Sequence, residues 1–452
     1  MSAVVLSAAV LSACAPDRVY RAPFFPFASK YDGARAGAPV LLQNDRWWDR
    51  LGDPALDRVV AQALSGNIDL AVARERLVRA RAVRASTSGG GNLGGLTADL
   101  TLEDLGSGTE RSGRLDWGQE GQLELTWLLD PWGGRKARLK AADARIEAAA
   151  AEVSAARLSI LRQVSLAYVD LRYTQALLAR RSADLALRRE ALGVAQQLQD
   201  AGESTRRDLL RTRARIASTE AQLPVLRAQV NSLQIQLAVL AGVAPGTLDL
   251  DGLKTGSRQP RPPLPATLGV PADLLRNRPD IRIAEREYYA ALADVDEAEA
   301  ARWPQLSLGG TLTRVGGAAS GASVLLGPSL EIPELFSTQP KARAAAAASS
   351  AREAHLAWKA TVISAVGEVE DQLSLYAAAR DAVSAQERSA RLYRETLGLT
   401  DEMLRLSTAT ISDRLDAMED LSSAETALVS SLRDQGRAFV ELNVAIGAGA
   451  GG

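Results

Sequence analysis

Two short stretches of this chain combine a turn with closely spaced charges. In the first, Gly202-Glu203-Ser204 precedes Arg206, Arg207 and Asp208, with Arg211, Arg213 and Arg215 close behind. In the second, Ser407-Thr408-Ala409 precedes Asp413 and Asp416. Asp413 and Asp416 are three apart, so on a helix they share a face. Around a ring of identical chains, such carboxylates make a collar that favours cations, and a dry collar raises some of their pKa values. The same residues also suit the first turn of a helix, where acids cap free N–H groups and meet the dipole. Catalysis has no comparable signal, because His355 is the single His, Cys14 the single Cys, and only three Met are present. No metal or catalytic cluster can be assembled at the usual spacings.

Both stretches need helices on either side to position them. After the turn Asp130-Pro131-Trp132-Gly133-Gly134, a breaker-poor run of about 68 residues leads to Asp200, and a second of about 38 leads to Gly242. At ~1.5 Å per residue the first would be on the order of 100 Å long, far beyond an ordinary globular core. Ile146, Val153, Ile160 and Ala167 recur every seven residues, as do Val164, Leu171 and Leu178, which is coiled-coil spacing. Pro224 should kink the second arm. Aromatics are scarce at 4%, as expected of long packed helices. The 53 basic and 54 acidic residues nearly balance, so no global charge draws the chain to nucleic acid.

The chain repeats itself. Lys136-Ala137-Arg138 is answered by Lys341-Ala342-Arg343, and Gly202 with Asp208 by Ser407 with Asp413, each 205 residues later. Asn67-Ile68-Asp69-Leu70 is answered by Arg278-Pro279-Asp280-Ile281, and Asp130-Pro131-Trp132 by Pro333-Glu334-Leu335-Phe336. Each copy reads as helix, strand pair and long helical hairpin. In Gln119 to Leu128, Leu123, Leu125 and Trp127 alternate with Gln122, Glu124 and Thr126, a half-polar strand long enough to cross a membrane. A soluble hairpin fits those residues too. Asp53-Pro54 opens a helix as N-cap and first residue. Trp47 and Trp48 are expected to pack the junction of leader and tunnel, and Asp69 and Asp280 to cap helices.

At the start, a short apolar run ends in Leu11-Ser12-Ala13-Cys14, which resembles the bacterial lipobox, although no Lys or Arg precedes Arg18. Residues 1–13 are then a lipoprotein signal peptide, and 14–45 a lipidated irregular leader. The first repeat covers 46–244, with its strand pair at 95–128 and its hairpin at 133–241. A linker covers 245–270. The second repeat covers 271–447, with its strand pair at 305–332 and its hairpin at 339–446. Residues 448–452 read as a flexible tail. Four strands per chain cannot close a barrel in lipid, so two, three or four chains must combine.

Trp47-Trp48 with Asp53-Pro54, Asn67-Ile68-Asp69-Leu70, and Leu274 to Arg282 with Ala284-Glu285 resemble motifs of the outer membrane factors, the TolC-type channels, in their NodT-like lipoprotein branch. Ala301 to Leu308, Gly367 to Asp371 and Ala221-Gln222-Leu223-Pro224 are similar to that family as well, so the resemblance covers essentially the whole chain. It implies a mixed α and β membrane protein: a homotrimer whose long α-helical hairpins form a periplasmic tunnel and whose strands complete a 12-stranded barrel. It implies an exit duct of a tripartite efflux pump in the outer membrane of a Gram-negative bacterium, working with a periplasmic adaptor and an inner-membrane transporter and binding no nucleic acid. The only added group would be the lipid on Cys14, with no cofactor and no metal. The constriction would be formed by Asp208, Asp413 and Asp416. Docking would fall on Gly202, Glu203, Ser204, Arg206, Arg207, Ser407, Thr408 and Ala409. Ser407 and Ala409 depart from the family, which often has Gly and Arg there, so Arg206 or Arg207 could bridge to Asp413 or Asp416 instead. A type I protein-secretion duct and a soluble structural coiled coil are the competing functions.

Overall fold

The structure is a computed structural model, described here over residues 46–88, 93–104, 117–202, 205–248, 251–254, 256, 258–262, 278–316, 321–332, 338–406 and 408–451. After a 3-10 turn at Trp47–Leu51 come helices α1 (Pro54–Gly66) and α2 (Ile68–Ser88), strands β1 (Leu93–Asp104) and β2 (Trp117–Leu129), and helices α3 (Gly134–Asp200) and α4 (Arg206–Leu240). The second half brings α5 (Pro279–Ala300), β3 (Gln305–Gly316), β4 (Gly321–Glu331), α6 (Gln339–Arg405) and α7 (Ile411–Ala445). Among the described residues, no helix is long and apolar enough to cross a membrane. The chain forms two compact units, each drawing on both halves of the sequence.

One unit comprises Glu75–Ala150 and Arg282–Ala360. Its strands form one antiparallel sheet in the order β1-β2-β3-β4. Side chains alternate across a strand, and the register therefore sorts them into two faces. Leu123, Leu125, Trp127 and Leu129 of β2 share a face with Leu306, Leu308 and Leu312 of β3 and Val324, Leu326 and Leu330 of β4. Gln122, Glu124 and Thr126 share the other with Ser307, Thr311 and Thr313. Below the strands, Trp132 stacks on Trp303 at 5.1 Å and donates its indole N–H to the Pro304 carbonyl at 2.8 Å. Arg138 pairs with Glu297 at 2.7 Å, Arg145 with Asp294 at 2.5 Å and Arg286 with Glu147 at 3.0 Å, tying α3 to α5.

The other unit comprises residues 46–74, Ala151–Ile281 and Thr361–Gly452. Its core gathers Trp47, Leu56, Val60, Leu161, Leu171, Leu237, Phe439 and Leu442 from α1, α3, α4 and α7. Of the two seven-residue series of α3, Ile160, Val164, Ala167 and Leu171 are buried in it and Val153 is half-buried against it, whereas Ile146 and Leu178 are half-buried elsewhere. Asp53 caps α1 by accepting from the Ala55 N–H at 2.9 Å, with Pro54 at the first helical position. Pro224 lies inside α4 without ending it.

Two local expectations are corrected, and a third gains a partner. The cap of α2 is Asn67, whose side chain accepts from the Leu70 N–H at 3.2 Å and donates to the Leu240 carbonyl at 2.9 Å. Asp69 is only a first-turn residue. Asp280 accepts the Ile281 N–H in the first turn of α5 at 3.0 Å and also holds the guanidinium of Arg278, which reaches Glu368 at 2.8 Å and the Ala445 carbonyl. Residues 448–450 are not a loose tail, for Ala448 and Ala450 are buried. The Trp47 indole donates to the Ala448 carbonyl at 3.1 Å and Arg157 donates to Gly449 at 2.9 Å. Small residues can lie flat against the core there, and the carbonyls satisfy one buried and one half-buried donor.

Candidate functional site

The two turns predicted to carry charge chemistry lie together in this second unit. Ala195 of α3, Leu209 of α4 and Ile411 of α7 form a small buried cluster with Leu404 of α6 against it. One turn further along, Ala191, Leu415 and Met418 form another. The polar residues of both tips are held on this apolar base.

The tips begin with the same device. Thr205 caps α4 and Thr410 caps α7, each in a capping box with the Asp three residues on. Asp208 donates its N–H to the Thr205 hydroxyl at 3.3 Å, while its carboxylate accepts from the Thr205 hydroxyl and N–H. In the second tip the Asp413 carboxylate accepts from the Thr410 N–H at 2.8 Å and hydroxyl at 2.7 Å. Each box satisfies free donors at a helix start. The hydroxyl and N–H of Thr205, with Arg207 and Arg211 beyond, hold Asp208 below the usual carboxylate range. The N–H and hydroxyl of Thr410 do the same for Asp413. Within one chain, then, these two acids are pulled down and not up.

Asp416 has a different role. It accepts from Arg211 at 3.1 Å and from Arg215 at 2.9 Å. Arg211 also donates to the Ser412 hydroxyl at 2.9 Å, and Arg215 to the Leu415 carbonyl at 2.8 Å. The bridge across the tips is therefore made by Arg211 and Arg215. Arg206 and Arg207 are exposed and make no ion pair among the described residues. Arg207, Arg211 and Arg215 share one face of α4 at four-residue spacing, so the difference is axial: Arg207 stands one turn nearer the tip, while Arg211 holds the same place in α4 that Asp416 holds in α7. Three more pairs brace the region. Arg414 reaches Asp401 at 2.6 Å, and the buried Arg188 takes Asp184 at 2.9 Å and Glu419 at 2.8 Å. Arg188 thereby draws Glu419 below its ordinary pKa, against the opposing effect of burial.

The turns themselves differ. Gly202 ends α3 with φ +80°, where a residue without Cβ is favoured, and donates to the Gln199 carbonyl at 3.0 Å. In the second tip, Thr408 donates both its N–H, at 2.9 Å, and its hydroxyl, at 3.0 Å, to the Met403 carbonyl, and the Ala409 N–H joins at 3.3 Å. Glu203, Ser204, Ser407 and Cys14 lie outside the described residues.

Away from the tips, Asp53 accepts from the Tyr168 hydroxyl at 2.8 Å and from Arg172, which also donates to the Gly252 carbonyl at 2.6 Å. Burial opposes ionisation of Asp53, but the bonds from Arg172, Ala55 and Tyr168 prevail and lower its pKa. This knot fastens the start of α1 and shows no open acid–base pair. Among the described residues, no three metal-binding side chains come together.

The sheet, hairpins and paired tips match known proteins along nearly their whole length. The family model of the outer membrane efflux proteins matches residues 59–243 and 270–448, one stretch in each half. This chain belongs to that family. It is 31% identical over 456 residues to nodulation protein T of Rhizobium leguminosarum bv. trifolii, covering 97% of this chain and 95% of that one. It is 27% identical to the pyoverdine export outer membrane protein OpmQ of Pseudomonas putida, covering 92% and 90%. The outer-membrane channel OprN superposes with a TM-score of 0.85 at 30% identity, over 96% of this chain and 99% of that one. The MtrE outer membrane channel of Neisseria gonorrhoeae shares the fold at 23% identity, with a TM-score of 0.83 over 97% and 99%. The efflux family thus supplies what the tips serve: an exit duct in the outer membrane, not an enzyme.

Proposed function

We propose that three copies of this chain assemble into the outer membrane exit duct of a tripartite pump that exports small molecules. The observation that carries this reading is the open four-stranded sheet, apolar on one face, with β1 and β4 at its free edges. Free edges facing lipid leave backbone groups unsatisfied. Three chains would contribute twelve strands and close a barrel wide enough for a passage. Leu392 and Leu399 of α6 and Leu406 just past its end support the same assembly, since they are exposed at seven-residue spacing, as in an unpaired coiled-coil seam. Small-molecule cargo is favoured by the relatives named for pyoverdine export and solvent efflux.

In this reading the helical hairpins line a periplasmic tunnel whose tips meet an adaptor, and an inner-membrane transporter loads it. Asp208, Asp413 and Asp416 ring the mouth. Gly202, Thr408 and Ala409 lie at the docking surface together with Glu203, Ser204 and Ser407. A lipid on Cys14 anchors the leader. Native mass spectrometry and planar-bilayer recording of the purified protein test the assembly. A trimer that conducts is expected; a non-conducting monomer would sink the proposal. Acyl labelling that is lost in Cys14→Ser tests the anchor.

A further inference from the structure

We propose that Arg314 binds the phosphate of a lipid headgroup at the outer rim of the barrel and so fixes the channel's depth in the membrane. The inference rests on the outer membrane barrel described above. Along β2, β3 and β4 the register stacks residues into rows on one face. Leu129, Leu306 and Leu330 form the first row, followed by Trp127, Leu308 and Pro328. Leu125, Gly310 and Leu326 come next, then Leu123, Leu312 and Val324. The fifth row is Gly121, Arg314 and Ala322. An exposed cation therefore follows four rows that are apolar.

Neither neighbour in that row nor in the row before it is acidic, and Arg314 makes no ion pair among the described residues. Gly121 and Ala322 are small, so both flanks of the guanidinium are open at the ~5 Å spacing of cross-strand neighbours. A planar guanidinium with open flanks suits a phosphate, which it can take by two parallel N–H donors.

Depth points the same way. Trp127, Trp132 and Trp303 gather at the opposite end of the sheet, the position of an interfacial aromatic girdle. From Leu306 to Arg314 the strand advances about 26 Å at ~3.3 Å per residue. With a tilt of about 40° that is roughly 20 Å across the membrane, close to the ~25 Å apolar band of such barrels. With the tryptophans at the inner interface, Arg314 reaches the outer headgroups, where a long cationic side chain can extend from an apolar surface. The alternative is a guanidinium that is merely hydrated.

The test uses the full chain, reconstituted in vesicles of zwitterionic lipid containing diphosphorylated lipid A or its dephosphorylated form. Native mass spectrometry then counts the retained glycolipid. The wild type should hold the phosphorylated form about tenfold better than Arg314→Gln, as expected for charge-assisted bonds. Arg314→Lys should fall between them, and the dephosphorylated form should not discriminate. Equal retention by wild type and Arg314→Gln, or by the two lipid forms, overturns the proposal. Should Arg314→Gln not assemble, the two lipid forms on the wild type and Arg314→Lys decide alone. Bilayer conductance is recorded in parallel. Conducting protein without lipid selectivity defeats this inference only, whereas failure to insert defeats the barrel as well.

Discussion

Arg211 and Asp416 stand 205 residues apart, the interval at which the two copies of the repeat echo each other, and they bond at 3.1 Å. They are one position of the repeat carried with opposite charge. Around them the copies agree: Thr205 matches Thr410 and Asp208 matches Asp413, in the same capping box. The opposite charges at this position make the two helix starts complementary, and Arg215 adds a second donor at 2.9 Å.

This pair should restrain the tips. Asp416→Ala removes both bonds at once. Each is solvent-exposed and contributes on the order of 0.2–1 kcal/mol, so the open population should rise up to about fivefold per bond. Mean conductance in planar bilayers should increase, and Arg211→Asp combined with Asp416→Arg should recover part of the wild-type level. Conductance unchanged in Asp416→Ala would falsify the restraint.

The capping boxes predict a pH response. Asp208 and Asp413 have folded values below the ordinary 3.8. A carboxyl depressed in this way contributes stability that is complete above the ordinary value and is lost as pH falls through the folded one. Amide exchange in the first turns of α4 and α7, corrected for intrinsic rates, should therefore stay flat down to about pH 5 and rise only below the ordinary carboxylate range. Fraying already near neutrality would mean that the boxes do not hold the tips.

Much of this was legible in the sequence, where signals were local. The long hairpins follow from the missing breakers, the strand pairs from alternation, and the start of α1 from Asp53-Pro54. Relations that depend on which faces meet were not. The echo located Asp208 and Asp413, but nothing in the order of residues says that Arg215 and not Arg207 meets Asp416. Asn67 caps α2 in place of Asp69 because its amide must also reach Leu240, 173 residues away. The family resemblance named the fold, while the partner of Asp416 needed the packing.

The knot at Asp53 should be costly to break. The Arg172 side chain is 7% exposed and that of Asp53 18%. Asp53→Ala leaves a buried guanidinium without its carboxylate and removes the cap of α1, a loss of about 3–5 kcal/mol. Thermal melting should fall accordingly, and adding Arg172→Met should restore part of it by removing the orphaned charge. A double variant that melts lower than Asp53→Ala would argue against this account.

Gly66 and Gly242 mark a backbone crossing that no side chain can enter. A Cβ on Gly66 would lie 2.6 Å from the Ala241 carbonyl oxygen, and one on Gly242 only 2.0 Å from that of Gly66. Gly242 also has φ +72°. Alanine at either should destabilise by about 1–3 kcal/mol or more. Gly193, inside α3, has nothing from this chain within 4 Å. Gly193→Ala should be neutral or gain about 0.5–1 kcal/mol of helix preference. Equal melting temperatures for Gly66→Ala and Gly193→Ala would contradict the close crossing.

The C-terminal residues offer the last test. Trp47 is 1% exposed, and its indole N–H has the Ala448 carbonyl as acceptor at 3.1 Å. Removing 448–452 leaves that donor buried without a partner and frees Arg157 from the Gly449 carbonyl. An orphaned buried donor costs about 1–3 kcal/mol. The truncated chain should melt lower, and Trp47→Phe should cost less in the truncated chain than in the full one, because the donor it deletes is no longer satisfied. If truncation leaves melting unchanged, these residues contribute nothing to the core and the expectation of a loose tail stands.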